Sequence, residues 1–233
     1  MYKFISILLV VTSTLVSKTY AQCSIGIVGG LGTSYITNRS AGQQNLVEKF
    51  YPRMSYEIGL ELNKKIHKNI NLVTSLNFMT LNGKESSRLD DVDDNNKLNG
   101  NFGLDTVWLK LNYISFPIMV EYKFRKTSIS VGVQNNFRVS GQGVERGYFK
   151  TDFQEIRFEN KTNKTNAIDN FDFGIVLFFK YYLKNRISIG SKLYYGLNNN
   201  WKDYSNSPRL SNNQLLIKVN YDLFKINRKS KNK

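Results

Sequence analysis

Every second residue of FDFGIVLFFKYYL, residues 171–183, is large and apolar: Phe171, Phe173, Ile175, Leu177, Phe179, Tyr181 and Leu183. The residues between them are mixed and include Asp172 and Lys180. A period of two marks a β-strand, because successive side chains leave opposite faces of the backbone. Seven more segments alternate this way, at about 23–35, 54–62, 69–80, 107–124, 128–139, 187–198 and 213–224. The cleanest is 128–139, with Ile129, Val131, Val133, Phe137 and Val139 against Ser128, Ser130, Gly132, Gln134, Asn136 and Arg138.

The segment 107–124 changes phase. Leu109, Leu111 and Tyr113 share one parity; from Ile114 the apolar set is Ile114, Phe116, Ile118, Val120, Tyr122 and Phe124. One extra residue near Tyr113–Ile114 would produce this, so a β-bulge is expected there. Pro117 needs a position where its missing N–H does no harm.

The connections alternate in length. Three are short and basic, at 63–68, 125–127 and 184–186; four are long and polar, at about 36–53, 81–106, 140–168 and 199–212. An eight-stranded antiparallel up-and-down transmembrane β-barrel, with long extracellular loops and short periplasmic turns, gives this rhythm. A Greek-key sandwich would not sort long from short so regularly.

The N-terminus sets the compartment. Residues 1–21 have an early lysine, an apolar stretch over 4–16 and small residues before the end of Ala21, the pattern of a secretory signal peptide. The barrel domain is then 22–224, followed by a basic tail at 225–233. Cys23 is the only cysteine, so no disulfide staples the chain. With 14 Tyr, 15 Phe and only 3 Pro, the composition suits an all-β protein with aromatic belts.

Periodicity alone does not say whether the apolar faces meet a core or lipid. The less apolar faces carry Glu57, Glu61, Glu121, Asp172 and Asp222 against Lys110, Arg138, Lys180, Lys192 and Lys218. Such a balanced set can pair off inside an eight-stranded barrel, whose interior side chains just fill. The apolar faces run about six residues per strand, near the roughly 25 Å of an outer-membrane barrel. They end in aromatics such as Tyr56, Tyr113, Tyr181, Tyr195 and Tyr221. These features place the polar faces in the lumen and argue against a general diffusion pore.

The stretch LNYISFPIMVEYKF, residues 111–124, resembles the Tyr-Leu-Glu-Ile-Pro-Leu strand of the small outer-membrane barrels of Bacteroidetes, the porin-family or PorT-like proteins. Tyr113, Phe116 and Pro117 stand at matching positions, and Ser115 replaces the usual acid. The segments from 128, 171 and 212 resemble that family's later strands. The resemblance implies the bacterial outer membrane, contact with its lipid, and insertion by the barrel-assembly machinery. That machinery reads a final aromatic strand end, which Tyr221, Leu223 and Phe224 would supply; the tail after Phe224 departs from the pattern.

Net charge is +15, or +13 without Lys3 and Lys18. Lys64, Lys65, Lys68, Lys123, Arg125, Lys126, Lys184, Arg186, Lys225, Arg228, Lys229, Lys231 and Lys233 gather at the short-turn end. A basic periplasmic rim attracts anionic headgroups or an acidic periplasmic protein. Nucleic acid is no partner for an exported barrel. In the loops, Asp91, Asp93 and Asn95 have calcium-like spacing, but Asn96 and Phe102 stand where such a loop needs Gly and Glu. The stretch from Tyr148 to Phe158 interleaves aromatics and charges, as a hairpin extending beyond the membrane would. His67, the only histidine, lies in a basic turn with no carboxylate or Ser partner nearby in sequence.

The expectation is therefore a non-enzymatic barrel without a cofactor, with a structural or surface-interaction role through its loops, where an extracellular partner would bind. The alternatives are an accessory of secretion or envelope assembly, a soluble periplasmic barrel for an apolar ligand, and a narrow channel.

Overall fold

The computed structural model describes residues 22–39, 46–92, 98–150, 155–162, 169–184, 186–198 and 209–226. The expected signal peptide, most of the tail and the centre of the calcium-like stretch lie outside them. Nine strands follow in chain order: β1 (Cys23–Arg39), β2 (Leu46–Lys65), β3 (Ile70–Val92), β4 (Leu98–Phe124), β5 (Thr127–Lys150), β6 (Glu155–Thr162), β7 (Phe171–Lys184), β8 (Ile187–Gly196) and β9 (Arg209–Ile226). There is no helix among the described residues.

All pairings are antiparallel. The order β4-β3-β2-β1-β9-β8-β7-β5 closes on itself through β4–β5. The chain therefore forms a closed eight-stranded antiparallel barrel, which leaves no strand edge open within the ring. β6 is not a ninth stave. It pairs with Gly143–Lys150 of β5, beyond the stretch Thr127–Phe137 that pairs with β7. β5 and β6 are thus the hairpin expected between 140 and 168. Elsewhere strand runs further than the alternation indicated: much of 36–53 and 81–106 belongs to β1, β2, β3 and β4. At the other end the connections are tight. Arg125 and Lys126 alone join β4 to β5, and Arg125 takes a φ of 51°, the sign that two-residue hairpins require.

The outer face answers the question left by periodicity. Ile58, Leu60, Ile118, Val120, Ile129, Val131, Ile175, Leu177, Leu193, Ile217 and Val219 are all exposed. A soluble protein would not leave such a continuous apolar surface bare. Aromatics bound this band. Tyr56, Phe78 and the contact chain Phe116–Phe137–Phe171 lie toward one end; Tyr122, Phe124, Phe179, Tyr181, Tyr221 and Phe224 lie toward the other. The interior is polar: Glu57, Glu121, Asp172, Lys180, Lys192 and Lys218 are all at most 2 % exposed. This is a barrel turned to lipid.

The expected bulge in β4 is not there. Pairing with β3 keeps one register from Ile70↔Tyr122 to Asp90↔Phe102. Leu111 and Tyr113 are buried, on the same inward face as Ser115, Pro117, Met119 and Glu121. What changes at Tyr113–Ile114 is the surroundings. Below it the outward face is apolar and the inward face holds the buried polar residues, with one apolar layer that includes Met119; above it Ile36, Met79, Leu81, Leu111 and Tyr113 form a buried apolar cluster inside the barrel. Tyr113 is consequently no belt residue. An extra residue does occur in the neighbouring strand, where Val139 falls between Asn112↔Ser140 and Tyr113↔Arg138. Pro117 is accommodated by a gap in the ladder: Thr74↔Ile118 and Asn77↔Ser115 are rungs, but Phe116 and Pro117 make none with β3.

Candidate functional site

The lumen is built from alternate residues of the eight staves, so its chemistry follows from strand register. Glu57 on β2 reaches past β1 to β9 and β8. Lys192 donates to its Oε2 at 2.5 Å, and Lys218 and Asn77 donate to Oε1 at 2.6 and 2.9 Å. A second group forms nearer the short turns. Lys180 donates to Glu61 at 2.7 Å and lies 3.6 Å from Glu121. Glu121 also accepts from Asn71 at 2.6 Å, Ser128 at 2.7 Å, Tyr182 at 3.0 Å and Asn63 at 3.2 Å. Three carboxylates and three ammonium groups are thereby matched out of reach of solvent.

Phe178 stands between the two groups, with Lys180 4.9 Å and Lys218 5.2 Å from its ring centroid. It packs with Val73, Met119 and Val176 as an apolar layer in the lumen. Gly190 makes room for it, since a Cβ there would come within 2.8 Å of the ring. Toward the long-loop end Asp172 accepts from Tyr194 at 2.8 Å, Asn212 at 3.1 Å and Asn136 at 3.2 Å.

Of the ten charged residues assigned to the lumen from sequence, seven are buried there: Glu57, Glu61, Glu121, Asp172, Lys180, Lys192 and Lys218. Asp222 is half-buried and lines the short-turn mouth. Arg138 is half-buried and donates to Asn170 at 2.7 Å. Lys110 is a correction. With β4 running in phase, it shares the outward face with Ile114 and is exposed beyond the apolar band, where a charge costs little. Of the uncharged partners of Glu121, Asn71, Ser128 and Tyr182 have the parity of the polar faces, whereas Asn63 falls in the stretch read as a short turn and belongs to β2.

The closing strand also differs from expectation. Leu223 is an extra residue between Ile25↔Phe224 and Gly26↔Asp222. Tyr221 and Phe224 are exposed while Leu223 is half-buried. The strand continues to Ile226, two residues into the expected tail.

At the short-turn end the barrel opens into a mouth of about 440 Å³. Its wall includes Lys65, Lys68, Lys123, Arg125 and Lys126, with Asp222 the one carboxylate among the described residues. Lys123 lies 3.8 Å from the Tyr182 ring centroid, on the short-turn side of the Glu121 group. Among the described residues no cluster of His, Cys, Asp and Glu could hold a metal ion. His67 stays exposed in its turn.

Residues 20–202 match the family model described as "Outer membrane protein beta-barrel domain". No curated protein matches the chain. Among solved structures, the attachment invasion locus protein Ail of Yersinia pestis, in complex with the heparin analogue sucrose octasulfate, is similar at 10 % identity and a TM-score of 0.36, over 87 % of this chain and 99 % of that one. Neisserial surface protein A gives 7 %, 0.37, 88 % and 98 %. The outer membrane protease OmpT of Escherichia coli gives 9 %, 0.37, 87 % and 96 %. The domain match alone carries the assignment to a family.

Proposed function

We propose a function from one established premise: the chain belongs to the outer membrane protein β-barrel domain family and lies in the bacterial outer membrane. The proposal is a non-enzymatic surface protein whose barrel is a sealed anchor and whose working part is the sheet extended above the long-loop side of the membrane. The carrying observation is the filled lumen. Paired ions, the Phe178 layer and the Tyr113 cluster occupy successive levels of the interior. A side-chain-filled barrel of eight strands is an anchor rather than a conduit. The polar interior and apolar exterior also speak against a soluble container for an apolar ligand.

In this reading the short turns face the periplasm, the aromatic end of β9 serves the assembly machinery, and the kinship is with the PorT-like group. Purified protein in planar bilayers tests the sealed anchor. No discrete conductance steps are expected; reproducible steps from folded protein would establish the narrow channel instead.

The basic mouth favours a second reading, an envelope or secretion accessory that engages an acidic periplasmic protein. Lys65→Glu with Lys68→Glu should then abolish co-purification of that protein while the barrel stays folded; unchanged co-purification would exclude the mouth.

A further inference from the structure

Beyond the upper aromatics, the outward face of four adjacent strands carries a row of alternating rings and cations. Tyr51 on β2, Lys84 on β3 and Trp108 on β4 occupy directly paired positions, and Arg146 follows on β5. The Lys84 ammonium lies 5.0 Å from the Tyr51 ring centroid and 5.5 Å from that of Trp108. The Arg146 guanidinium lies 4.8 Å from Trp108. Glu159 on β6 ends the row, accepting from Arg146 at 2.6 Å. Both partners of that pair are more than half exposed, so an incoming anion can compete for the guanidinium. A concavity of about 610 Å³ adjoins the Trp108–Arg146–Glu159 end of the row and also takes in Arg53 and Lys110.

Position decides what this row meets. Trp108 stands six residues past Ile114, where the apolar band ends. With strand rise and barrel tilt, that is roughly 15 Å above the hydrocarbon. At that height an outer membrane presents the phosphorylated sugars of its outer-leaflet glycolipid. Rings suit sugar C–H faces, as they suit cations; Lys and Arg suit phosphate. Among the row and its concavity, cations outnumber carboxylates.

We infer that the Tyr51–Lys84–Trp108–Arg146 row binds the anionic saccharide headgroup of the outer-leaflet glycolipid. The inference rests on the proposed reading that the short turns face the periplasm, and not on the lumen being sealed, so a conducting barrel would leave it standing.

The chain has two tryptophans, and Trp201→Phe leaves Trp108 as the single indole reporter. The folded full-length barrel in neutral detergent is titrated with lipopolysaccharide, with phosphatidylglycerol and with inorganic phosphate, and Trp108 emission is read. The expected result is a saturable change with lipopolysaccharide, a much weaker one with phosphatidylglycerol and none with phosphate. Lys84→Gln with Arg146→Gln should weaken lipopolysaccharide binding about thirtyfold. The variant's fold is checked by its heat-dependent gel mobility; should it not fold, Arg146→Gln alone should give about fivefold. Equal responses to both lipids would reduce the row to a generic anionic surface and overturn the inference. So would a response to inorganic phosphate alone, an unchanged affinity in the folded variant, or no response at all, which would leave the row to a protein partner.

Discussion

The two ends of β4 put opposite faces to the same kind of neighbour. From Ile114 to Phe124 its outward residues are apolar and its inward ones include Ser115 and Glu121; from Tyr113 back to Leu109 the inward residues are apolar and the outward ones are Asn112 and Lys110. The backbone does not change phase between them. The environment does. In lipid the outside must be apolar, and polar groups go inward to be paired. In water the ordinary rule returns, with apolar residues inward. The barrel is inverted below Tyr113 and conventional above it, so a single strand reports where the membrane ends.

Mutations separate the two halves by the kind of interaction each depends on. The largest effect is expected in the lower half. Glu57→Ala leaves Lys192 and Lys218 buried without their shared carboxylate, which should cost about 3–5 kcal/mol. Equilibrium unfolding in urea from detergent or vesicles would show it, and a loss below about 1 kcal/mol would mean the ions are solvated. In the upper half Leu111→Ala opens a cavity beside Tyr113 and Met79. The cost should be near the low end for a core leucine, about 2–3 kcal/mol, because the barrel end can relax. A negligible change would mean that this cluster is wet, and the contrast with the lower half would fail. Smallest is Glu159→Gln on the surface of the extension, where a pair more than half exposed on both sides contributes under about 1 kcal/mol.

Much of the fold was legible because the barrel's rule is binary. Alternation in segments such as 128–139 and 171–183 gave eight staves, and the clustering of lysines marked the short-turn end. The lumen was legible where a charge sat in a run of constant parity, as at Glu57, Lys180 and Lys218. It failed at Lys110 and Tyr113 for one physical reason. Alternation shows which residues share a face; it does not show which solvent that face meets. A parity switch in the apolar set reads as an extra backbone residue, whereas irregularities such as those at Val139 and Leu223 lie where the alternation gives no warning. Long-range pairings such as Lys218 with Glu57, 161 residues apart, follow from barrel closure and shear, which single-strand patterns do not encode.

The inversion at Tyr113–Ile114 is the centre of this account, and a cysteine scan along β4 tests it most directly. In a Cys23→Ser background, single cysteines at 110 to 118 would be labelled with a polarity-sensitive fluorophore in vesicles containing a lipid-chain quencher. The even positions should label throughout, with quenching absent at 110, rising at 114 and strong at 118; 111 and 113 should resist labelling. Labelling at 111 and 113 with protection at 110 would restore the bulge, place Lys110 in the lumen, and contradict the account.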